Sequence, residues 1–205
     1  MSNILKHNLR VEPYEYQREG ICFGLEHKRI IIGDEPGLGK TLQSIGIVDT
    51  ARAYPCLVIC PSSLKINWQR EFEKFTDKSA LVLDNNVRTT WGYLLSMGVH
   101  QVAIVNYESL RKYFVWDIKG GKQFRLKDVV FCPQMQQFKS IIIDESHRVK
   151  DPSAQQTIFT KGLSVGKEYT KRDWVTQFHF GCLRDNSGKM FQKLGTDTGF
   201  DSMND

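Results

Sequence analysis

The sequence lacks any apolar run that could cross a bilayer, which takes about 20 consecutive apolar residues. Its first ten residues, Met1 to Arg10, mix polar and basic side chains and lack the apolar block of a signal peptide. There is no internal repeat. Cysteine is sparse: Cys22, Cys56, Cys60, Cys132 and Cys182 form an odd set without paired spacing, which argues against a disulfide framework. Cys56 and Cys60 flank Leu57, Val58 and Ile59 in a run that reads as a buried strand, so they are expected to be small core residues and no zinc site is expected. These absences point to the cytoplasm, or to the nucleus if the host is a eukaryote, and away from membranes.

What is present suits a packed domain. Of 205 residues, 40% are hydrophobic and 25% charged, a balance that builds a core rather than a disordered chain. The net charge of +5 permits a polyanionic partner without requiring one. Short apolar runs alternate with amphipathic segments. Strands are expected at Arg29 to Gly33, Cys56 to Cys60, Ala80 to Leu83, Gln101 to Asn106 and Lys139 to Ile143. Helices are expected at Lys40 to Arg52, after Ser62 and Ser63 as caps, at Trp91 to Met97, and from Glu108 to about Phe114. Trp68, Phe72 and Phe75 share one helical face and read as core rather than as stacking platforms. Such alternation defines an α/β fold around a mostly parallel sheet flanked by helices, with ligands beyond the carboxyl ends of the strands. Phe114, Trp116 and Ile118 before Gly120-Gly121, with Phe124 and Leu126 after, read as an inserted β-hairpin.

The candidate chemistry falls at strand ends. Asp34-Glu35-Pro36-Gly37-Leu38-Gly39-Lys40-Thr41 lies between a strand and a helix. Glycines there let backbone N–H groups cradle phosphate, the helix N-terminus adds positive charge, Lys40 supplies a point charge and Thr41 a hydroxyl for magnesium. The full phosphate-loop spacing would put glycine at position 34, where this chain has aspartate. About a hundred residues on, the run at 141–143 ends in Asp144-Glu145-Ser146-His147. Asp144 would hold the metal and Glu145 would polarise an attacking water.

Together these motifs resemble helicase superfamily two, and within it the Swi/Snf-type DNA-dependent ATPases, whose fold is a RecA-like phosphate-loop lobe. Pro36 stands where that family usually has methionine. Further segments match in order. Tyr16-Gln17-Arg18-Glu19-Gly20 resembles the entry motif, in which Gln17 would read adenine. Cys60-Pro61-Ser62-Ser63-Leu64 resembles the first DNA-contact motif, and Asn106-Tyr107-Glu108-Ser109-Leu110 the second. His147 sits where the family couples the ATP site to DNA. The resemblance, covering residues 9–163, implies ATP and magnesium as cofactors. It also implies duplex DNA as partner, met at its phosphates by Ser62, Ser63, Lys65, Asn106 and Tyr107. The Pro-Ser-Ser and Asp-Glu-Ser-His variants lean toward the annealing-helicase branch.

The family pattern then stops. It continues to a buried strand ending in Ser/Thr-Gly-Thr-Pro, which this sequence lacks. That strand lies between the phosphate-loop strand and the acidic strand, so a gap is expected there unless Trp174 to Phe180 fills it. A second RecA-like lobe, with the arginines that complete the ATP site, is not found either. Residues 1–165 therefore read as an incomplete lobe and 166–205 as a divergent, loose tail. The chain is expected to be a fragment, a truncated frame or one with a deletion near residue 170. Two other readings stay open: an inactive nucleotide- or DNA-binding fragment, and a phosphate-loop ATPase without a DNA role.

Overall fold

Strands such as Cys56–Cys60 and Val102–Asn106 show almost no polar alternation, so both of their faces must be covered. The computed structural model describes residues 8–35, 37–121, 123–165 and 175–179, with Val165 and 175–179 given as backbone only. In chain order the elements are α1 (Glu15–His27), β1 (Arg29–Ile32), α2 (Lys40–Thr50), β2 (Cys56–Cys60), α3 (Lys65–Phe75), β3 (Ala80–Val82) and α4 (Trp91–Ser96). There follow β4 (Val102–Asn106), α5 (Leu110–Phe114), β5 (Val115–Ile118), β6 (Val129–Phe131), β7 (Ser140–Ile143), α6 (Gln155–Val165) and β8 (Val175–His179). Six strands form one parallel sheet in the order β1-β8-β7-β2-β4-β3. Among the described residues no helix is long and apolar enough to cross a membrane.

Each central strand sends alternate residues to opposite faces. Cys56, Val58, Cys60, Ile104 and Ile142 pack with Ile21, Ile45 and Phe72 from α1, α2 and α3. Leu57, Ile59, Val105, Ile141 and Ile143 pack with Trp91, Phe114 and Phe159 from α4, α5 and α6. On α3 the spacing of Trp68, Phe72 and Phe75 turns all three inward, and all are buried as expected. On the other layer, Trp91 stacks on Phe138 with centroids 5.9 Å apart, and Phe114 meets both rings edge-on. β1 lies at an edge, so Ile30 and Ile32 are buried while Ile31 is 41% exposed. That strand is half-covered, not buried on both faces.

Local details depart from the sequence reading in three places. The inserted hairpin exists, but its second strand is β6, not the segment around Phe124 and Leu126. Asp128 accepts a hydrogen bond from the Arg125 N–H at 2.8 Å, closing a 3-10 turn at Leu126–Asp128, and Phe124 stacks on Phe159 of α6. The apolar pair thus covers a helix instead of joining the ladder. Second, the helix expected from Glu108 begins as a 3-10 turn, Tyr107–Ser109, before α5. Third, Ser62–Leu64 is itself a 3-10 turn, and neither serine caps α3 with its side chain.

The slot between the phosphate-loop strand and the acidic strand is filled. β8 pairs in parallel with β1 on one side and β7 on the other, Gln177 lying opposite both Ile30 and Ile142. The sheet therefore reaches into the segment read as a tail; Trp174, Phe180 and the rest of 166–205 lie outside the described residues, as does Pro36. Gln177→Pro would remove a ladder N–H from a central strand, where proline is not tolerated. We expect the thermal midpoint of the full chain to fall by about 6 °C or more. An unchanged midpoint in a calorimetric scan would take β8 out of the sheet.

Candidate functional site

After β1 the chain must turn sharply to start α2, and glycine supplies the turn. Gly37 and Gly39 have φ of 90° and 75°, a region that costs other L-residues about 1–2 kcal/mol. Gly39 also caps α2, and a Cβ there would run into the Gln17 amide. α1 and the loop therefore approach as closely as backbone allows. Gln17 is buried; its Oε1 accepts from the Tyr14 N–H at 3.0 Å and its Nε2 donates to Leu38 O at 3.1 Å. Tyr16 donates its hydroxyl to the same carbonyl at 3.1 Å. Of the two donors and two lone pairs of a glutamine amide, one donor braces the loop and one lone pair caps α1. Lys40 donates to Asp34 O at 2.6 Å and Glu35 O at 2.9 Å, while the Gln43 amide donates to the Asp34 carboxylate. Asp34, where a phosphate loop has glycine, is thereby tied down against α2. The Glu35 Oε1 is buried with no hydrogen-bond partner.

The acidic pair stands at the end of β7. Asp144 is 5% exposed, its Oδ2 accepting from Trp68 Nε1 at 2.8 Å and its carbonyl from the Tyr107 hydroxyl at 2.5 Å. Burial first, and then the Asp144 charge, hold the Tyr107 phenol well above its ordinary range, so it stays a donor. Glu145 has φ 53° and ψ 47°, a left-handed conformation in a residue with a full side chain. Such strain, about 1–3 kcal/mol, persists only where the surroundings enforce it and is commonest at functional positions. His147 Nδ1 lies 3.1 Å from Glu145 Oε2.

A cleft of about 500 Å³ separates the two strand ends, with Lys40 and Thr41 on one wall and Asp144 and Glu145 on the other. Gln17 and Trp68 also line it. Among the described residues no three His, Cys, Asp or Glu side chains cluster as a metal cage. One hydroxyl and one carboxylate on a shared cleft suit magnesium, which keeps most of its shell as water and phosphate oxygen. Burial pushes the Cys56 and Cys60 thiols up to about 12, consistent with inert core residues.

The expected DNA residues separate into two groups. Ser62 and Ser63 are exposed and Lys65 half-buried at the start of α3. Asn106 and Tyr107 are turned inward: Asn106 is 8% exposed and donates to Glu108 Oε2 at 2.7 Å, and Tyr107 is 1% exposed on Asp144. Both side chains bond within the protein, Asn106 through one amide N–H and Tyr107 through its hydroxyl. The Asn106 bond, first, and Arg148, 3.5 Å away, hold the Glu108 carboxyl below its usual range. What the sequence reading missed is the polar contact of Trp68. A buried indole N–H needs a partner, and that need was the available signal.

Fold and site together define a phosphate-loop lobe of RecA-like type. The SNF2-related domain family matches residues 16–168, and the chain belongs to that family. The SWI/SNF-related matrix-associated actin-dependent regulator of chromatin subfamily A-like protein 1 homolog from Caenorhabditis elegans is 30% identical over 80% of this chain and 22% of its own length. The human DNA annealing helicase and endonuclease ZRANB3 is 29% identical over 76% of this chain and 13% of its own length. The chain thus spans less than a quarter of these relatives. The Sulfolobus solfataricus SWI2/SNF2 ATPase core in complex with dsDNA shares the fold, with a TM-score of 0.60 at 22% identity over 85% of this chain and 33% of that one. A stretch of 42 residues, 20% of this chain, is 57% identical to 9% of a uronate isomerase from Lachnospira eligens.

Proposed function

We propose that this lobe binds ATP with magnesium in the cleft and, joined to a second RecA-like lobe, hydrolyses ATP while moving along duplex DNA. The observation that carries the reading is the cleft itself, with Lys40 and Thr41 facing Asp144 and Glu145 across it. Phosphoryl transfer of this kind is mainly positioning and charge stabilisation. Lys40 would exchange its two loop carbonyls for phosphate oxygens, and the first N–H groups of α2 would meet the same oxygens. Thr41 and Asp144 would hold the metal, which when bound neutralises phosphate charge. Glu145 would orient water, and Gln17 would offer its remaining donor and acceptor to adenine. Arginines from a second lobe would complete the site, so the lobe alone should turn over slowly.

For DNA, the exposed Ser62 and Ser63 and the half-buried Lys65 are the candidates, and the contact is electrostatic and indifferent to sequence. Asn106 and Tyr107, being buried, are less suited to meet phosphate directly. The annealing-helicase branch remains the preferred placing, supported by the Pro-Ser-Ser and Asp-Glu-Ser-His segments. We assign the lobe to residues 1–165 and read 166–205 as a divergent tail that lends β8 to the sheet. Support comes from the end of the family match at residue 168.

Two measurements test the reading. Lys40→Ala should weaken a fluorescent ATP analogue by about tenfold or more, the value of a charged hydrogen bond; equal affinity would remove the phosphate assignment. On duplex DNA, log affinity against log salt should have a slope of magnitude about 2 to 4, and Lys65→Ala should reduce it by about one for every sequence tested. An unchanged slope would take Lys65 off the DNA surface, leaving a nucleotide-binding lobe without that contact.

A further inference from the structure

A buried carboxylate is tolerated only when its oxygens are hydrogen-bonded. Asp144 is held from three separate elements. Trp68 of α3, 76 residues away in sequence, donates its indole N–H to Oδ2 at 2.8 Å. Tyr107, in the turn after β4, donates its hydroxyl to the main-chain carbonyl at 2.5 Å. The Asp144 N–H donates to Ile59 O of β2 at 2.8 Å. The last is ordinary sheet pairing carried past the strand end; the first two are side-chain contacts specific to this position.

From these contacts we infer that Trp68 and Tyr107 are positioning residues for Asp144, fixing the direction in which its carboxylate meets the metal. The inference rests on the proposed metal role of Asp144. Packing alone does not demand the polar atoms: phenylalanine would fill the place of Tyr107 and most of that of Trp68. Trp68 is 2% exposed and Tyr107 1% exposed, so neither polar atom can turn to water. An indole has one donor, and here it is aimed at the carboxylate. Anchoring one carboxylate oxygen and the carbonyl of the same residue fixes both its side chain and its backbone. Trp68 also lines the cleft, so its ring forms the wall beside the oxygens it orients.

The test is a magnesium titration of the full chain at fixed fluorescent ATP analogue. It compares wild type with Trp68→Phe, Tyr107→Phe and Asp144→Asn, with thermal midpoints as a check on folding. Loss of one hydrogen bond should raise the half-saturating magnesium concentration by about threefold in each phenylalanine variant. A merely structural role would weaken nucleotide binding equally in magnesium and in EDTA, leaving that concentration where it was. Unchanged magnesium midpoints in both folded variants, with the magnesium response lost in Asp144→Asn, would overturn the positioning role and leave the site reading intact. A wild-type magnesium response in Asp144→Asn would instead overturn the reading of Asp144, and the inference with it. Should Trp68→Phe fail to fold, Tyr107→Phe, which removes a single oxygen, decides the matter.

Discussion

The backbone pairing of β8 between β1 and β7 is the constraint on which the site depends. Neighbouring strands lie about 4.8 Å apart, so one intervening strand sets β1 and β7 about 10 Å from each other. That separation opens the cleft between the loop at 34–39 and the Asp144-Glu145 turn. Remove the pairing and the phosphate-loop strand has no partner on its inner side, since β1 stands at the sheet edge. Two carboxyl-end turns of a parallel sheet then become one site only because the strand between them keeps both ends level.

Most of this was legible in the sequence because parallel strands covered on both faces leave a clear mark. Cys56–Cys60 appears as a strand with the same bounds that its apolar run suggests, since every residue in it is buried. The tight turn between β1 and α2 was legible from glycine spacing, because Gly37 and Gly39 do adopt positive φ. The hairpin was harder. Phe124 and Leu126 alternate like strand residues, but α6 offers an apolar face nearer than the ladder, and tertiary packing overrides the local pattern. β8 is the reverse case: its slot could be foreseen from topology, whereas its occupant lies beyond the point where the family pattern ends. A sheet slot is filled by backbone hydrogen bonds, which any sequence able to extend can supply, so the occupant need not carry the family's motif.

The direction of polar side chains was the least legible feature. Asn106 and Tyr107 sit in a motif associated with DNA, yet both are buried, and their bonds run to Glu108 and Asp144. Trp68 fits an apolar helical face and was read as core; it is core, with one polar atom that reaches the acidic strand. Sequence spacing tells which face a residue occupies and not what its polar tip finds there. The consequence is mechanical. Lys65 and Trp68 lie one turn apart on α3, so the exposed start of the helix and the buried carboxylate are joined by a single rigid turn.

The central claim is that the ends of β1 and β7 serve one nucleotide–magnesium site. Hydrogen–deuterium exchange of the full chain, with and without an ATP analogue and magnesium, tests it directly, because backbone protection reports each strand end separately. The account predicts added protection at both 37–43 and 143–147 when nucleotide and magnesium are present together. Protection confined to 37–43 would contradict it, since the acidic turn would then lie outside the site.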